Sequence, residues 1–330
     1  MAKERIAYID CLKGLLILLV VLHHLPDALD NSTAINAARI IRYLQPFYVG
    51  FFMSAFYIAS GMVTSFDKPF GKFFLSGFKS LMIPAFVFHY LFPLNVFSEN
   101  GWGLTGHELI LTLFRGASWF CSSMFLARLF YWFLVKYVDK TLFRLFILLA
   151  MSFVGAILYT LDVLEPWSIW HALSLTVFYE IGKIIGEKRF TLKQSTLSAI
   201  LYFFFVVVLI FAQVRTPRIS YSSMVAPHEV IPYNVLSLLA IIPLIWLSEK
   251  LCHYQFLNYL GKGSLVIFLT HGFFLRLFVY LYVSMFPMCK YVLVSDFIFP
   301  LCTYLFALGM SCIMIEVFNK KYIKYLLGKF

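Results

Sequence analysis

Charge is scarce in this chain. Only 13% of its 330 residues are Asp, Glu, Lys or Arg, 62% are hydrophobic, and the mean hydropathy is +0.85. A soluble domain cannot hide that much apolar surface, so the chain reads as an all-α polytopic integral membrane protein. Acidic residues are the rarer sign, 16 against 27 Lys and Arg, for a net charge of +11. The excess does not mark a nucleic-acid partner, because the basic residues fall mostly in short loops between apolar runs. The six cysteines (Cys11, Cys121, Cys252, Cys289, Cys302, Cys312) contain no CxxC pair and no metal-like spacing. Most lie inside apolar runs, where Cys behaves as a small hydrophobe, so neither disulfides nor a metal site is expected. The first apolar run continues into His23-His24-Leu25-Pro26-Asp27 rather than a small-x-small cleavage site, so it is read as an uncleaved first span. No clear internal repeat is visible, which counts against an inverted-repeat transporter. No segment is long enough for an attached soluble domain, so residues 1–330 are expected to form one transmembrane domain.

Ten apolar runs remain, at 8–25, 44–63, 78–97, 118–137, 141–160, 167–186, 195–213, 230–247, 264–285 and 294–317. Each is near the roughly 20 residues that cross a bilayer core about 30 Å thick, so about ten transmembrane helices are expected. With the N-terminus inside, 18 Lys and Arg fall on inside segments and adjoining span ends, six on outside loops, and three (Lys13, Arg128, Arg276) within spans. That bias places both termini in the cytoplasm. Ala34–Leu44 carries a short apolar stripe of Ala37, Ile40, Ile41 and Leu44, fitting a brief interfacial helix or the lead-in to the second span.

The first span holds ionisable groups where lipid is expected. Asp10, Lys13, Ile17, Val20 and His24 share one helical stripe, and Lys13 and His24 lie about 16 Å apart along it. A charge at the bilayer centre costs about 2.5–3.5 kcal/mol on insertion scales, so a chain that keeps one usually lines a polar path or an active site with it. An imidazole is the usual general base near neutral pH. A buried cation nearer the cytoplasm suits an anionic group arriving from that side. Asp10 is too far from His24 to orient it and is placed to pair with Lys13 at i,i+3.

The run Arg5-x-x-Tyr8-x-Asp10-x-Leu12-Lys13-Gly14, followed by an apolar stretch ending at His24, resembles the opening of the membrane acyltransferase-3 family, closest to its fucose 4-O-acetylase-like branch. Further matches follow in order: Phe51-Phe52-Met53-Ser54 with Ser60-Gly61, Lys79-x-Leu81-x-Ile83-Pro84, Trp119-Phe120, Phe178-Tyr179-x-x-Gly182, and Gly261-x-x-Ser264-Leu265-x-Ile267-x-Leu269-x-His271. Many members carry two basic residues three apart before the third-span proline. Here position 76 is Ser, and only Lys79 remains, with Lys72 upstream.

The resemblance implies a membrane-bound O-acetyltransferase in the inner, cytoplasmic membrane of a bacterium, surrounded by lipid. It implies transfer of an acetyl group from cytoplasmic acetyl-CoA, the acyl donor and co-substrate, to a hydroxyl of a cell-envelope glycan or lipid-linked sugar. Neither metal nor nucleic acid has a part in it. His24 maps onto the family's essential His and Lys13 onto the basic residue eleven positions before it. His24 either deprotonates the acceptor hydroxyl or carries the acetyl group itself. Lys13, Lys72, Lys79 and Ser264 are the donor-binding candidates, and Asp10, Trp119, Glu180, Arg128, His271 and Arg276 are site-lining candidates. Trp102, Trp119, Trp167 and Trp170 are placed to stack on a sugar or to anchor in the membrane interface. Arg128 and Arg276 are in-span cations that need a partner, and Glu180 is the obvious one for either. The alternative is a multi-span transporter or translocator of a lipid-linked sugar or small anion.

Overall fold

In the computed structural model, residues 7–30, 35–93, 106–188, 195–220, 223–285, 294–320 and 323–328 are described, and among them no β-strand occurs. The helices are α1 (Ala7–Leu29), α2 (Ile35–Leu44), α3 (Phe52–Val63), α4 (Phe70–Leu91), α5 (Gly106–Arg115), α6 (Trp119–Tyr137) and α7 (Thr141–Thr160). They continue with α8 (Ile169–Leu175), α9 (Val177–Lys188), α10 (Ser195–Phe211), α11 (Pro227–Leu251), α12 (Gln255–Lys262), α13 (Ser264–Met285) and α14 (Asp296–Asn319). The chain is therefore all-α, as the apolar runs require. Without water to satisfy backbone groups in lipid, a helix is the way a lone segment keeps its hydrogen bonds internal.

Six helices among the described residues (α1, α4, α7, α11, α13, α14) are long and apolar enough to cross a membrane, or seven if the pair Asn36–Phe47 and Phe52–Val63 is one broken span. The other expected spans are helical too. α6 covers 119–137 of the run 118–137, α10 is a shorter apolar helix, and 167–186 is divided into α8 and α9. The third span starts earlier than the apolar pattern placed it, at Phe70, so Lys72 lies on the helix rather than in a loop. Inside it, Pro84 has no N–H to give the Ser80 carbonyl. The chain answers by widening into π-type turns over Phe78–Met82, which include Lys79. Arg5, Trp102 and Cys289 lie outside the described residues, and the other five cysteines are free thiols.

Two compact units divide the chain: one draws on Met1–Tyr48, Phe88–Gly103 and Leu247–Lys324, the other on Val49–Val87, Leu104–Trp246 and Tyr325–Phe330. In the first unit α1 crosses α12 with no room for a side chain. A Cβ on Gly14 would strike the Leu257 carbonyl, and one on Gly261 would strike that of Asp10. Thr270 of α13 donates to Ser311 of α14 at 2.9 Å, and the Tyr304 hydroxyl donates to the Leu18 carbonyl of α1 at 3.0 Å.

The second unit repeats the device. A Cβ on Gly61 of α3 would strike the Tyr179 carbonyl of α9, and one on Gly182 would strike that of Ile58. Around this crossing, Tyr57 shares a hydrogen bond with Ser123 at 2.7 Å, Ser54 donates to Ser237 at 2.9 Å, and Phe120 packs edge-on to Phe56 and Tyr57. Glycine is needed at these crossings because helix backbones in lipid associate by close packing rather than by hydrophobic burial.

Candidate active site

The first unit collects six of the residues singled out from the sequence: Asp10, Lys13, His24, Ser264, His271 and Arg276. On α1 the stripe between the ionisable ends is sealed, with Ile17 0% and Val20 1% exposed. Asp10 is buried beside the Gly261 crossing, and Lys13 is half-buried. His24 differs from both. Its side chain is 45% exposed, although Leu25, Pro26, Ala28 and Leu29 after it are all buried. Pro26 contributes to this setting, since it withholds the N–H that the Leu22 carbonyl would take in a regular helix.

A second imidazole meets the first. The ring centroids of His24 and His271 are 5.1 Å apart, with an angle of 44° between their planes. His271 is buried, and its Nδ1 lies 2.9 Å from the Ile267 carbonyl one turn back on α13. A carbonyl only accepts, so Nδ1 carries the proton and the lone pair of neutral His271 sits on Nε2. His23 stands edge-on to His24 at 5.1 Å and to Tyr48 at 6.1 Å. The Gly14–Gly261 crossing brings the two segments together: α12 rests on α1, and α13 begins at Ser264 directly after it.

A family model described as an acyltransferase domain matches residues 6–316. The chain belongs to the acyltransferase-3 family. No curated protein and no solved structure matches it. As an acyltransferase it has in this first unit a cluster of imidazoles open at His24, which suits proton transfer or nucleophilic attack on an acyl donor.

The second unit holds the other five candidates, and there Glu180 has a different partner from those expected. Its partner is neither Arg128 nor Arg276 but Arg144, which the sequence reading counted among the basic residues of an inside segment. Arg144 Nε reaches Glu180 Oε2 at 2.9 Å, and Nη2 reaches Oε1 at 2.9 Å. The Arg144 guanidinium also donates to the Val138 and Asp139 carbonyls at 2.8 Å each and to the Thr141 hydroxyl at 3.1 Å. All five of its N–H groups are thereby used. The Tyr131 hydroxyl donates to Glu180 as well. With Glu180 0% and Arg144 5% exposed, this is a sealed structural pair tying α6, α7 and α9. No reactant reaches it.

Arg128 stands elsewhere. Its guanidinium carbon lies 4.4 Å over the Phe73 ring, and its Nη2 donates to the Ser76 hydroxyl at 3.2 Å. α6 thus places a cation beside Ser76. Lys79 is half-buried three residues further on, and Lys72 is exposed. Arg276 of α13 is exposed.

Trp119 packs at 5.3 Å from the ring of His171, and Tyr159 stands edge-on to that ring at 5.5 Å. Buried His171 bridges Glu165, at 2.6 Å from Nδ1, and the Ser220 carbonyl, at 3.0 Å from Nε2. The Trp167 and Trp170 indoles donate to the Leu113 and Val163 carbonyls, so their N–H groups hold loops. Among the described residues no group of His, Cys, Asp and Glu is arranged for a metal ion.

The residue that the sequence reading passed over is Asp27. Distance along the helix was reckoned only from His24 back to Asp10, whereas Asp27 lies forward at i,i+3, the spacing at which helical side chains meet.

Proposed function

We propose that this acyltransferase moves an acetyl group from acetyl-CoA to a hydroxyl of a cell-envelope sugar, with His24 as the catalytic residue. The observation that carries the reading is the open imidazole of His24 on an otherwise buried first span, 5.1 Å from His271. In the proposed reaction His24 takes the proton of the acceptor hydroxyl as that oxygen attacks the thioester carbonyl. The carbonyl–sulfur bond breaks, and the departing CoA thiolate collects the proton from the imidazolium. The products are the sugar ester and free CoA.

Lys13 and Ser264, both in the first unit, serve the phosphates of the donor. The protein lies in the inner membrane of a bacterium with both termini in the cytoplasm, where acetyl-CoA is made, and the acceptor approaches from the opposite face. The bias of Lys and Arg toward inside segments supports this orientation.

The test is His24→Ala in the full chain. The variant is expected to keep the native melting temperature and acetyl-CoA binding, and to lose about 10²–10⁴-fold in acetyl transfer. Mass analysis of the envelope glycans of cells with and without the gene identifies the acceptor by loss of one acetyl group. Native turnover in His24→Ala removes His24 from the chemistry.

A further inference from the structure

The carboxylate nearest His24 along α1 is Asp27, one turn further on. His24 Nδ1 lies 3.9 Å from Asp27 Oδ2. The other carboxylate oxygen, Asp27 Oδ1, lies 3.5 Å from Arg42 Nη2, and the same nitrogen bonds Asp30. Arg42 comes from α2, which is anchored by Asn36 donating to Asp296 at 3.0 Å. Guanidinium, carboxylate and imidazole therefore stand in a row, with the imidazole at the end where His271 waits.

All three side chains are exposed: 45% for His24, 60% for Asp27 and 41% for Arg42. Such pairs contribute little to folding. Their order matters for chemistry instead. A carboxylate beside one ring nitrogen fixes which nitrogen holds the resting proton, and it steadies the positive charge that forms when the other nitrogen takes a second one. The other described groups at His24 bring no negative charge. His23 and His271 are imidazoles, and the charge of Arg276 that acts on His24 has the wrong sign.

We infer that Asp27, held by Arg42, is the positioning residue of His24: it takes the Nδ1 proton, leaving the Nε2 lone pair for the acceptor hydroxyl. The inference rests on the reading of His24 as the base. The 3.9 Å separation closes to a hydrogen bond by side-chain rotation, as catalytic contacts commonly tighten when substrate is bound.

The test uses the full chain in vesicles from the cells that make it, with release of free CoA thiol from acetyl-CoA as readout. Asp27→Asn is expected to lower kcat about tenfold or more, leaving the KM for acetyl-CoA within about twofold. Asp27→Glu is expected to restore most of the lost turnover, and Arg42→Gln to lower kcat by less than Asp27→Asn. Native kcat in Asp27→Asn overturns the inference, as does a loss that Asp27→Glu fails to relieve. His24→Ala is measured alongside. If it turns over normally, the reading of His24 itself fails. If it is inactive while Asp27→Asn is native, only the role of Asp27 fails.

Discussion

Arg144 and Glu180 in one unit and His24 and His271 in the other are both polar pairs set in apolar helices, and they are built to opposite ends. Arg144 uses all five donors, Glu180 receives the Arg144 fork and the Tyr131 hydroxyl, and both side chains are sealed. His271 has one nitrogen pinned to the Ile267 carbonyl, and His24 stands open beside it. A satisfied, buried pair holds helices together and reacts with nothing. An imidazole with a lone pair to offer and no hydrogen bond sealing it contributes little to the fold and can move a proton. Burial and satisfaction, rather than the mere presence of an in-span charge, separate the structural site from the proposed chemical one.

The strongest way to break that contrast is to damage the sealed pair. Glu180→Gln leaves a buried guanidinium without its carboxylate and is expected to cost about 3–5 kcal/mol, read as a large fall in melting temperature of the purified protein. Leu at both positions is expected to recover much of that loss, because two apolar side chains carry no desolvation penalty. A change under about 1 kcal/mol in Glu180→Gln would make the pair dispensable and erase the contrast. His24→Ala, by comparison, is expected to leave the melting temperature alone.

Next come the glycine crossings, which both units share. Gly261→Ala drives a Cβ into the Asp10 carbonyl and is expected to cost about 1–3 kcal/mol, although alanine ordinarily favours a helix. Because the same crossing seats α12 and α13 against the helix of His24, turnover should fall with stability. In Gly61→Ala, which strikes the Tyr179 carbonyl, stability should fall by a similar amount while the turnover of the protein that remains folded stays near native. Equal losses of turnover in the two variants would deny the first unit its special part. Lys13→Gln sharpens the comparison further. The KM for acetyl-CoA should rise about tenfold, the worth of one charge-assisted hydrogen bond.

Much of this was legible in the residues, and the failures have physical causes. The apolar runs mark the helices because lipid leaves the backbone no other partner, and each of the ten runs is mainly helical where described, the second being broken by turns at 48–51. The motif glycines were visible as letters, but which meet, Gly14 with α12 and Gly61 with α9, is decided by tertiary contact. Arg144 and Glu180 are 36 residues apart on different helices, and no periodicity links them. Arg144 was counted with the basic residues of the inside segments and the span ends beside them, and it falls in the first turn of an apolar run, where a long side chain can turn inward. The early start of the third span was hidden because Gly71 and Lys72 interrupt the apolar pattern of Phe70–Leu75. The meeting of His24 with His271 had one sequence signal, that both end family-like motifs, and it needed the fold to make it geometry.

The smallest effect probes whether the first unit also contains structural pairs of its own. The Tyr259 hydroxyl on α12 donates to Glu316 of α14 at 2.7 Å, with the Cys312 carbonyl at 3.2 Å sharing the same proton. The site is partly exposed, so Tyr259→Phe is expected to cost only about 0.5 kcal/mol, the lower end for a neutral donor. Burial first, and then the Glu316 carboxylate, push the Tyr259 hydroxyl above the ordinary tyrosine range. A group whose folded value is raised gives its full contribution below the unfolded value of about 10 and loses it as pH rises through the folded one. The stability difference between the native chain and Tyr259→Phe should therefore stay constant from neutral pH to about pH 10 and shrink only above it. A difference that fades between pH 6 and 8 would instead show that the contact does not depend on the Tyr259 proton.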